Sequence, residues 1–148
     1  MTTGLVSRTS SDRAVDGLLA GIVAGVVMAG YLMISGMLAG ISAGQVLGRF
    51  GAQAVTPLVG GLSHLAVSAI YGAIFGILTG LGGMRLPGWA VGLVFGTLLF
   101  LLAEFIVLPS SDTPLTETPW IHFLISHLLY GAVLGELARR RLLVGKNQ

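Results

Sequence analysis

Four apolar stretches, each long enough to cross a lipid bilayer, constrain what this chain can fold into. They cover residues 14–38, 58–81, 87–108 and 119–137. A helix rises about 1.5 Å per residue, so roughly 20 apolar residues cross a hydrocarbon layer of about 30 Å. Only 9% of the 148 residues are charged, against roughly a quarter in soluble domains. The sequence therefore predicts an all-α integral membrane protein, a single domain over residues 1–148 with four transmembrane helices.

The prolines support these boundaries. Pro57, Pro87 and Pro119 stand at or next to the start of a stretch, where a helix needs no N–H, and Pro109 follows the third stretch. No proline falls inside a predicted span. The first apolar stretch also resembles a signal peptide, but it is longer than the 7–15 residues of such a segment. We therefore expect it to be a retained helix.

The basic residues predict the orientation. Seven fall on one side of the four spans: Arg8, Arg13, Arg85, Arg139, Arg140, Arg141 and Lys146. Only Arg49 falls on the other side. Because cytoplasmic loops are enriched in Lys and Arg, both termini are expected in the cytoplasm, with loops 39–57 and 109–118 outside. The predicted location is the inner (cytoplasmic) membrane, as a multi-pass protein.

The spans also show an internal similarity. Residues 17–25 align without gaps with residues 88–96, and residues 71–76 align with residues 130–135. Two tandem helical hairpins, inserted in the same sense as a parallel repeat, would produce this pattern. Chance alignment of helices rich in small residues is the alternative.

Glycines recur at every fourth position in the spans. Such stripes let helix backbones approach closely, which favours association where lipid removes the hydrophobic drive between helices. We predict a tightly packed four-helix bundle, with the alternative that some stripes face a partner protein. The predicted packing residues are Gly17, Gly21, Gly25, Gly72, Gly76, Gly80, Gly88, Gly92, Gly96, Gly131 and Gly135.

Three ionisable residues extend these stripes into one layer. In steps of four, the stripes lead to His64, Glu104 and His127, each roughly 8 to 12 Å from the proline near its end of the span. A buried polar cluster is therefore predicted. Its expected neighbours are Met33, Ser68, Tyr71 and Tyr130.

The cluster has three interpretations. The first is structural, with an interhelical hydrogen bond between carboxylate and imidazole. The second is proton handling or contact with a small molecule such as a quinone head group. The third is a metal or haem b held by two histidines, although no local ligand spacing supports it. The sequence therefore assigns no metal and no cofactor, with quinone or haem b contact as the open alternative.

Several functional classes are excluded or disfavoured. Without cysteine, the chain has no disulfide, thiolate metal site or cysteine nucleophile. Eight Lys and Arg residues and a net charge of +2 are too few for a nucleic-acid surface. No phosphate-binding loop, nucleophile elbow or zinc signature is present, so no catalytic residue is assigned and we expect no enzymatic activity. His122 is expected at the membrane interface, and Glu136 in a helical ion pair with Arg139 or Arg140.

Two motifs carry a resemblance. A glycine-rich first span with an internal methionine, here from Gly17 to Met28, is followed later by His122-Phe123 and, seven positions on, by Tyr130-Gly131. This pattern resembles the YagU-like group of small bacterial membrane proteins. The resemblance implies a helical protein of the inner membrane and carries no established activity.

The functional expectation follows from these features. We expect a non-enzymatic integral membrane subunit that packs into a larger membrane assembly, such as a respiratory or photosynthetic energy-transducing complex. Its expected partners are the lipid bilayer and other membrane subunits or a second copy of itself. The alternatives are a small homo-oligomeric transporter or ion pathway, and a subunit that contacts quinone or haem b.

Overall fold

The computed structural model describes residues 9–51, 53, 55–82 and 86–144. The helices are α1 (Ser10–Leu38), α2 (Ala43–Gly48), α3 (Pro57–Gly82), α4 (Gly88–Leu102) and α5 (Trp120–Val144). A π-helical turn (Ala103–Val107) and two 3₁₀ turns (Leu108–Ser110 and Pro114–Glu117) join α4 to α5. Four helical segments are long and apolar enough to cross a membrane: Ser10–Leu38, Pro57–Gly80, Gly88–Ser110 and Trp120–Arg140. Over the described residues, the predicted all-helical architecture is confirmed, and four helices have the length and apolar composition that a membrane span requires, with ends that shift by a few residues.

Local signals set the limits of the first helix. At its start, Thr9 and Asp12 form a capping box, in which each side chain bonds to the backbone N–H of the other residue. At its end, Gly40 adopts φ of 82°, a conformation that favours glycine. The N–H of Ile41 then donates to the carbonyl of Gly36 at 2.9 Å. This Schellman-type ending turns the chain back toward α2.

The third span, which begins with α4, ends in a widened turn because of Pro109. Proline has no N–H and its ring collides with the carbonyl four residues earlier, so a regular α-helix cannot continue through it. The N–H of Leu108 instead reaches back five residues to Ala103, as in a π-bulge. The Ser110 hydroxyl donates to the Ile106 carbonyl at 2.8 Å, and the Ser111 hydroxyl to the Val107 carbonyl at 2.7 Å. The serine hydroxyls thus supply donors to carbonyls of the last turn, where the helix ends.

The long helices pack as two close pairs. Helix α1 lies along α3, α4 lies along α5, and the two pairs meet mainly through α1 and α5. Between α3 and α4, the rings of Phe75 and Phe95 pack with centroids 5.0 Å apart. The buried core between the pairs includes Ala24, Leu134 and Tyr130.

Glycine allows the first pair to touch backbone to backbone. A Cβ added at Gly17 would overlap the carbonyl of Gly72, and one at Gly21 would overlap the carbonyl of Ser68. A Cβ at Gly76 would overlap the carbonyl of Arg13. At the two ends of this contact, side chains fill the space. Gly25 faces the Ser68 side chain and Gly80 faces the Arg13 side chain.

The second pair is built in the same way. Gly88 faces the carbonyl of Gly135, Gly92 faces that of Gly131, and Gly96 faces that of His127. Relative to the sequence alignment of the two hairpins, this contact is displaced by one helical turn. In the alignment, Gly21 corresponds to Gly92, and Ser68 corresponds to His127. Gly21 contacts the carbonyl of Ser68, but Gly92 contacts the carbonyl of Gly131, which lies one turn beyond His127. The two pairs are therefore similar in chemistry but differ in register.

The two ends of the bundle differ in construction. At one end, which we call the loop end, α2 packs against α1 and α3, and Arg49 forms an ion pair with Glu117 at 2.6 Å. The Thr113 hydroxyl donates to the Gly51 carbonyl at 3.0 Å. These contacts tie the segment after α2 to the segment before α5 across the loop end.

The opposite end, which we call the terminal end, holds the start of α1 and the end of α5. Arg13 donates to the carbonyl of Gly80, and Arg13 and Ala138 border the same small gap. Arg140 pairs with Glu136 at 2.8 Å, which confirms the predicted helical ion pair. Three cations used for the orientation, Arg8, Arg85 and Lys146, lie outside the described residues. The orientation of the bundle in the membrane stays a prediction.

The glycine contacts predict opposite outcomes for two glycine-to-alanine changes. Gly92→Ala places a methyl group against the Gly131 backbone, whereas nothing lies within 4 Å of a Cβ at Gly30. Both changes gain the same intrinsic helix propensity of about 1 kcal/mol. We expect Gly92→Ala to lower the free energy of unfolding in detergent by about 1 to 3 kcal/mol through overpacking, and Gly30→Ala not to lower it. Equal effects of the two changes would contradict the close backbone contact.

Candidate functional site

A cavity of about 230 Å³ lies between the two helix pairs on the side of the loop end. Helices α1, α3, α4 and α5 all contribute to its wall, together with the π-helical turn and two residues of the loop end. Most of the lining side chains are apolar. The lining residues are Met28, Phe50, Ser63, His64, Val67, Ser68, Tyr71, Leu99, Ala103, Val107, Leu115, Phe123, His127 and Tyr130.

The first histidine of the cavity is His64 on α3. Its Nε2 lies 3.0 Å from the carbonyl oxygen of Gly25 on α1. A carbonyl can only accept, so Nε2 carries the proton and donates it. The ring stacks on Phe50 with centroids 4.4 Å apart. This arrangement fixes the ring plane and leaves Nδ1 as the nitrogen with a lone pair in the neutral imidazole.

The second histidine, His127 on α5, is held with the opposite nitrogen. Its Nδ1 lies 2.8 Å from the carbonyl oxygen of Phe123, one turn earlier on the same helix. Its ring packs edge-on against Phe123 and Phe100, with centroids 4.5 Å and 6.0 Å away. The side chain is buried, and Nε2 is the nitrogen with the lone pair.

Two tyrosines border the same cavity but differ in their bonding. The Tyr130 hydroxyl donates to the carbonyl of Ser68 at 2.6 Å, which links α5 to α3. Tyr71 also lines the cavity, and its hydroxyl has no hydrogen bond to any residue that the structure describes. Tyr71 and Tyr130 align in sequence, yet among the described residues only the Tyr130 hydroxyl forms a hydrogen bond within the protein.

The expected cluster of three ionisable residues is corrected to a pair of histidines. His64 and His127 line one cavity, but Glu104 does not line it. Ala103 and Val107 face the cavity from the π-helical turn. Successive residues of a helix point about 100° apart, so Glu104 is directed to one side of them. Glu104 has no ion pair or hydrogen bond to any other described side chain.

The predicted neighbours of the cluster divide in the same way. Ser68, Tyr71 and Tyr130 border the cavity with the histidines. Met33 does not, because it lies in a separate groove between α1 and α3, on another side of His64. Met28, one of the buried residues of α1, takes the place on the cavity wall that was expected of Met33.

The geometry does not fit haem b or a protein-bound metal ion. A haem between two histidines needs room for a macrocycle, and the cavity of about 230 Å³ is smaller than the roughly 300 to 1,000 Å³ of pockets that enclose a whole drug-sized ligand. The Nε2 of His64 is also bonded to Gly25. Over the described parts of the chain, no three His, Cys, Asp or Glu residues are grouped to hold a metal ion. Two nitrogens alone leave a metal site incomplete.

Sequence reasoning missed two contacts, one at the cavity and one outside it. Phe50 was not assigned a role, yet it covers the cavity and stacks on His64. His122 was expected to be a simple interfacial residue, but its Nδ1 lies 2.9 Å from the Tyr31 hydroxyl and so links α5 to α1. Neither contact has a local sequence signal, because the partners are distant along the chain.

The cavity opens sideways and is covered at the loop end. Val67 on α3 and Val107 on the π-helical turn both line it, and they are 49% and 45% exposed. Phe50 and Leu115, from the two segments of the loop end, cover it from the other direction. Exposed apolar residues of two candidate spans therefore border its open side.

Over the described residues, the fold and the site together define a helical protein with four helices that are long and apolar enough to span a membrane, and with a cavity between its two helix pairs. Comparison of the chain with models of protein families, with curated proteins and with solved structures finds no match. The resemblance to the YagU-like group stays a prediction.

The two tyrosines predict a difference in stability. Tyr130→Phe removes the 2.6 Å bond to Ser68 and should lower the free energy of unfolding in detergent by about 1 kcal/mol. Tyr71→Phe removes a hydroxyl without a partner among the described residues and should leave stability unchanged. Tyr71→Phe is therefore the matched control, because it makes the same chemical change at the aligned position. A loss for Tyr71→Phe as large as that for Tyr130→Phe would contradict this assignment.

Proposed function

We propose that this protein is a non-enzymatic integral membrane subunit that holds the head group of a lipid-soluble small molecule. The observation that carries the proposal is the direction of the cavity. It contains two imidazoles, it is covered by Phe50 and Leu115 at the loop end, and it opens sideways beside Val67 and Val107. A molecule that approaches from water is blocked by Phe50 and Leu115, whereas a molecule that approaches from the bilayer can enter beside Val67 and Val107.

The size and lining of the cavity support a head group rather than a whole ligand. A volume of about 230 Å³ accommodates a small ring, and an attached apolar tail can remain in the lipid through the opening. Aromatic and aliphatic walls with a few placed polar groups are typical of small-molecule sites. Here the polar groups are His64, His127 and Tyr71.

A non-enzymatic role is supported by the chemistry of the lining. Among the described residues, no carboxylate, lysine or arginine borders the cavity, and both imidazoles are held by backbone carbonyls rather than aimed at a hydroxyl nucleophile. A nucleophile with an adjacent base is the usual arrangement for covalent catalysis. The lining fits binding better than turnover.

A pathway for ions through one copy of the chain has less support. On the terminal side of the cavity, α1 and α3 meet through backbone at Gly17 and Gly72, and α4 and α5 meet at Gly88 and Gly135. Buried Phe75 and Leu134 fill the space between the pairs. These contacts leave the helices too close for a continuous channel.

The proposed setting is a larger assembly in the inner membrane, with the loop end outside the cytoplasm. The same proposal includes the cytoplasmic termini, which rest on the distribution of Lys and Arg, and the two tandem hairpins, which rest on the internal alignment of the spans. Helix α4 presents an apolar face with Val94 and Leu98 more than half exposed. This face is suited to lipid or to a helix of another subunit.

Single-cysteine labelling tests the orientation, because the chain has no cysteine of its own. Asp112 at the loop end and Ser10 at the start of α1 are both exposed. In intact spheroplasts, a membrane-impermeant maleimide should label Asp112→Cys and should label Ser10→Cys only after permeabilisation. The reverse pattern would show that the bundle has the opposite orientation.

A substitution at the opening tests the proposed binding. Val67→Trp should fill the sideways opening and lower the amount of lipid-soluble compound that co-purifies with the protein at least several-fold. Val94→Trp is the matched control, since Val94 is 61% exposed on α4 and does not line the cavity. The measurement is mass spectrometry of an organic extract of protein purified in mild detergent. If the wild type carries no such compound, or both variants carry as much as wild type, the proposed function is wrong.

A further inference from the structure

We propose that the cavity selects a head group that donates hydrogen bonds, of the aromatic diol class, and that it binds a hydroquinone more tightly than the corresponding quinone. This inference rests on the proposed function and names the chemistry of its ligand. It follows from how the two histidines are held, which decides which form of a ligand they can bind.

Backbone carbonyls set the position of the proton on each imidazole. The Gly25 carbonyl takes the N–H of His64 Nε2, and the Phe123 carbonyl takes the N–H of His127 Nδ1. A neutral imidazole has one donor nitrogen and one acceptor nitrogen. Both donors are therefore used within the protein. The nitrogens that remain, His64 Nδ1 and His127 Nε2, are both acceptors.

No side chain in the described ranges donates to either of these acceptors. The Tyr130 hydroxyl, which lies nearby, already donates to the Ser68 carbonyl at 2.6 Å. In a largely apolar cavity, an acceptor without a donor is unfavourable. The site is thus complementary to a molecule that brings O–H groups of its own.

The surroundings narrow the class of donor. Phe50 stacks on His64 and Phe123 packs against His127, so the cavity presents aromatic surfaces that suit a flat ring. The opening beside Val67 and Val107 leads to lipid, which suits a ring with an apolar tail. A hydroxylated aromatic ring on a hydrocarbon chain combines the donors, the flat shape and the solubility.

The same groups disfavour the oxidised ring. A quinone carries carbonyl oxygens, which are acceptors and cannot bond to an imidazole lone pair. The Tyr71 hydroxyl can donate or accept, so it can bind either form and does not discriminate. A site built to bond a hydroxyl rejects an analogue without it, because its own polar groups are then left without partners. The two imidazoles are therefore the residues that determine selectivity.

The test compares a 1,4-benzoquinone with a decyl tail and its hydroquinone. Binding of each to the full chain in lipid nanodiscs is measured by titration calorimetry without oxygen. We expect the hydroquinone to bind at least about tenfold more tightly, the scale of one well-made hydrogen bond in a buried site. In His64→Phe and His127→Phe, hydroquinone affinity should fall about tenfold while quinone affinity is retained.

His122→Phe is the matched control. This histidine lies on α5 like His127, but it bonds to Tyr31 and does not line the cavity. The ratio of the two affinities should therefore remain at the wild-type value. If a histidine variant does not fold, the wild-type ratio decides the question alone.

The outcomes separate this inference from the proposed function. Equal binding of the two forms, or tighter binding of the quinone, overturns the inference. The proposed function, binding of a lipid-soluble molecule, is not contradicted by either result. If neither form binds, the inference is overturned as well. The co-purification experiment with Val67→Trp then still decides the proposed function. The inference is supported if the wild type binds the hydroquinone preferentially and both cavity histidine variants abolish this preference.

Discussion

Direct contact between helix backbones is the constraint on which the rest of this molecule depends. Lipid supplies no hydrophobic drive between helices, so association relies on close van der Waals approach. Gly17 against Gly72 and Gly92 against Gly131 allow this approach within each pair. On the terminal side, the glycines bring the two helices of each pair close together. Toward the loop end, larger residues such as His64 and His127 continue the glycine stripes, and a cavity opens between the two pairs.

The cavity combines features that arise from different parts of the chain. Helix packing brings the two imidazoles to one space, and carbonyls of Gly25 and Phe123 set their protonated nitrogens. The π-helical turn before Pro109 places Val107 at the opening. The ordered loop end, held by the ion pair of Arg49 with Glu117, supplies the cover. A cavity that is covered at the loop end and bordered on its side by exposed apolar residues follows from these elements together.

Much of the architecture could be predicted from the sequence, because its signals are local. A long apolar stretch must form a helix in lipid, where every backbone N–H and C=O has to bond within the segment. The span boundaries were predictable for the same reason, since proline and glycine act on their immediate neighbours, as Pro109 and Gly40 do. The ion pair of Glu136 with Arg140 was also local, because residues four apart share a helix face.

What the sequence determined by itself, then, is the number of spans, their limits and the residues on each packing face. The tertiary structure decided which of those residues meet. Glu104 was predicted to join the histidines by steps of four along a regular helix, but it lies in a π-helical turn whose residues Ala103 and Val107, and not Glu104, line the cavity. Phe50 and His122 found partners from distant segments. The offset of one turn between the two glycine contacts was likewise undetermined, because stripes with a repeat of four fit each other in more than one register.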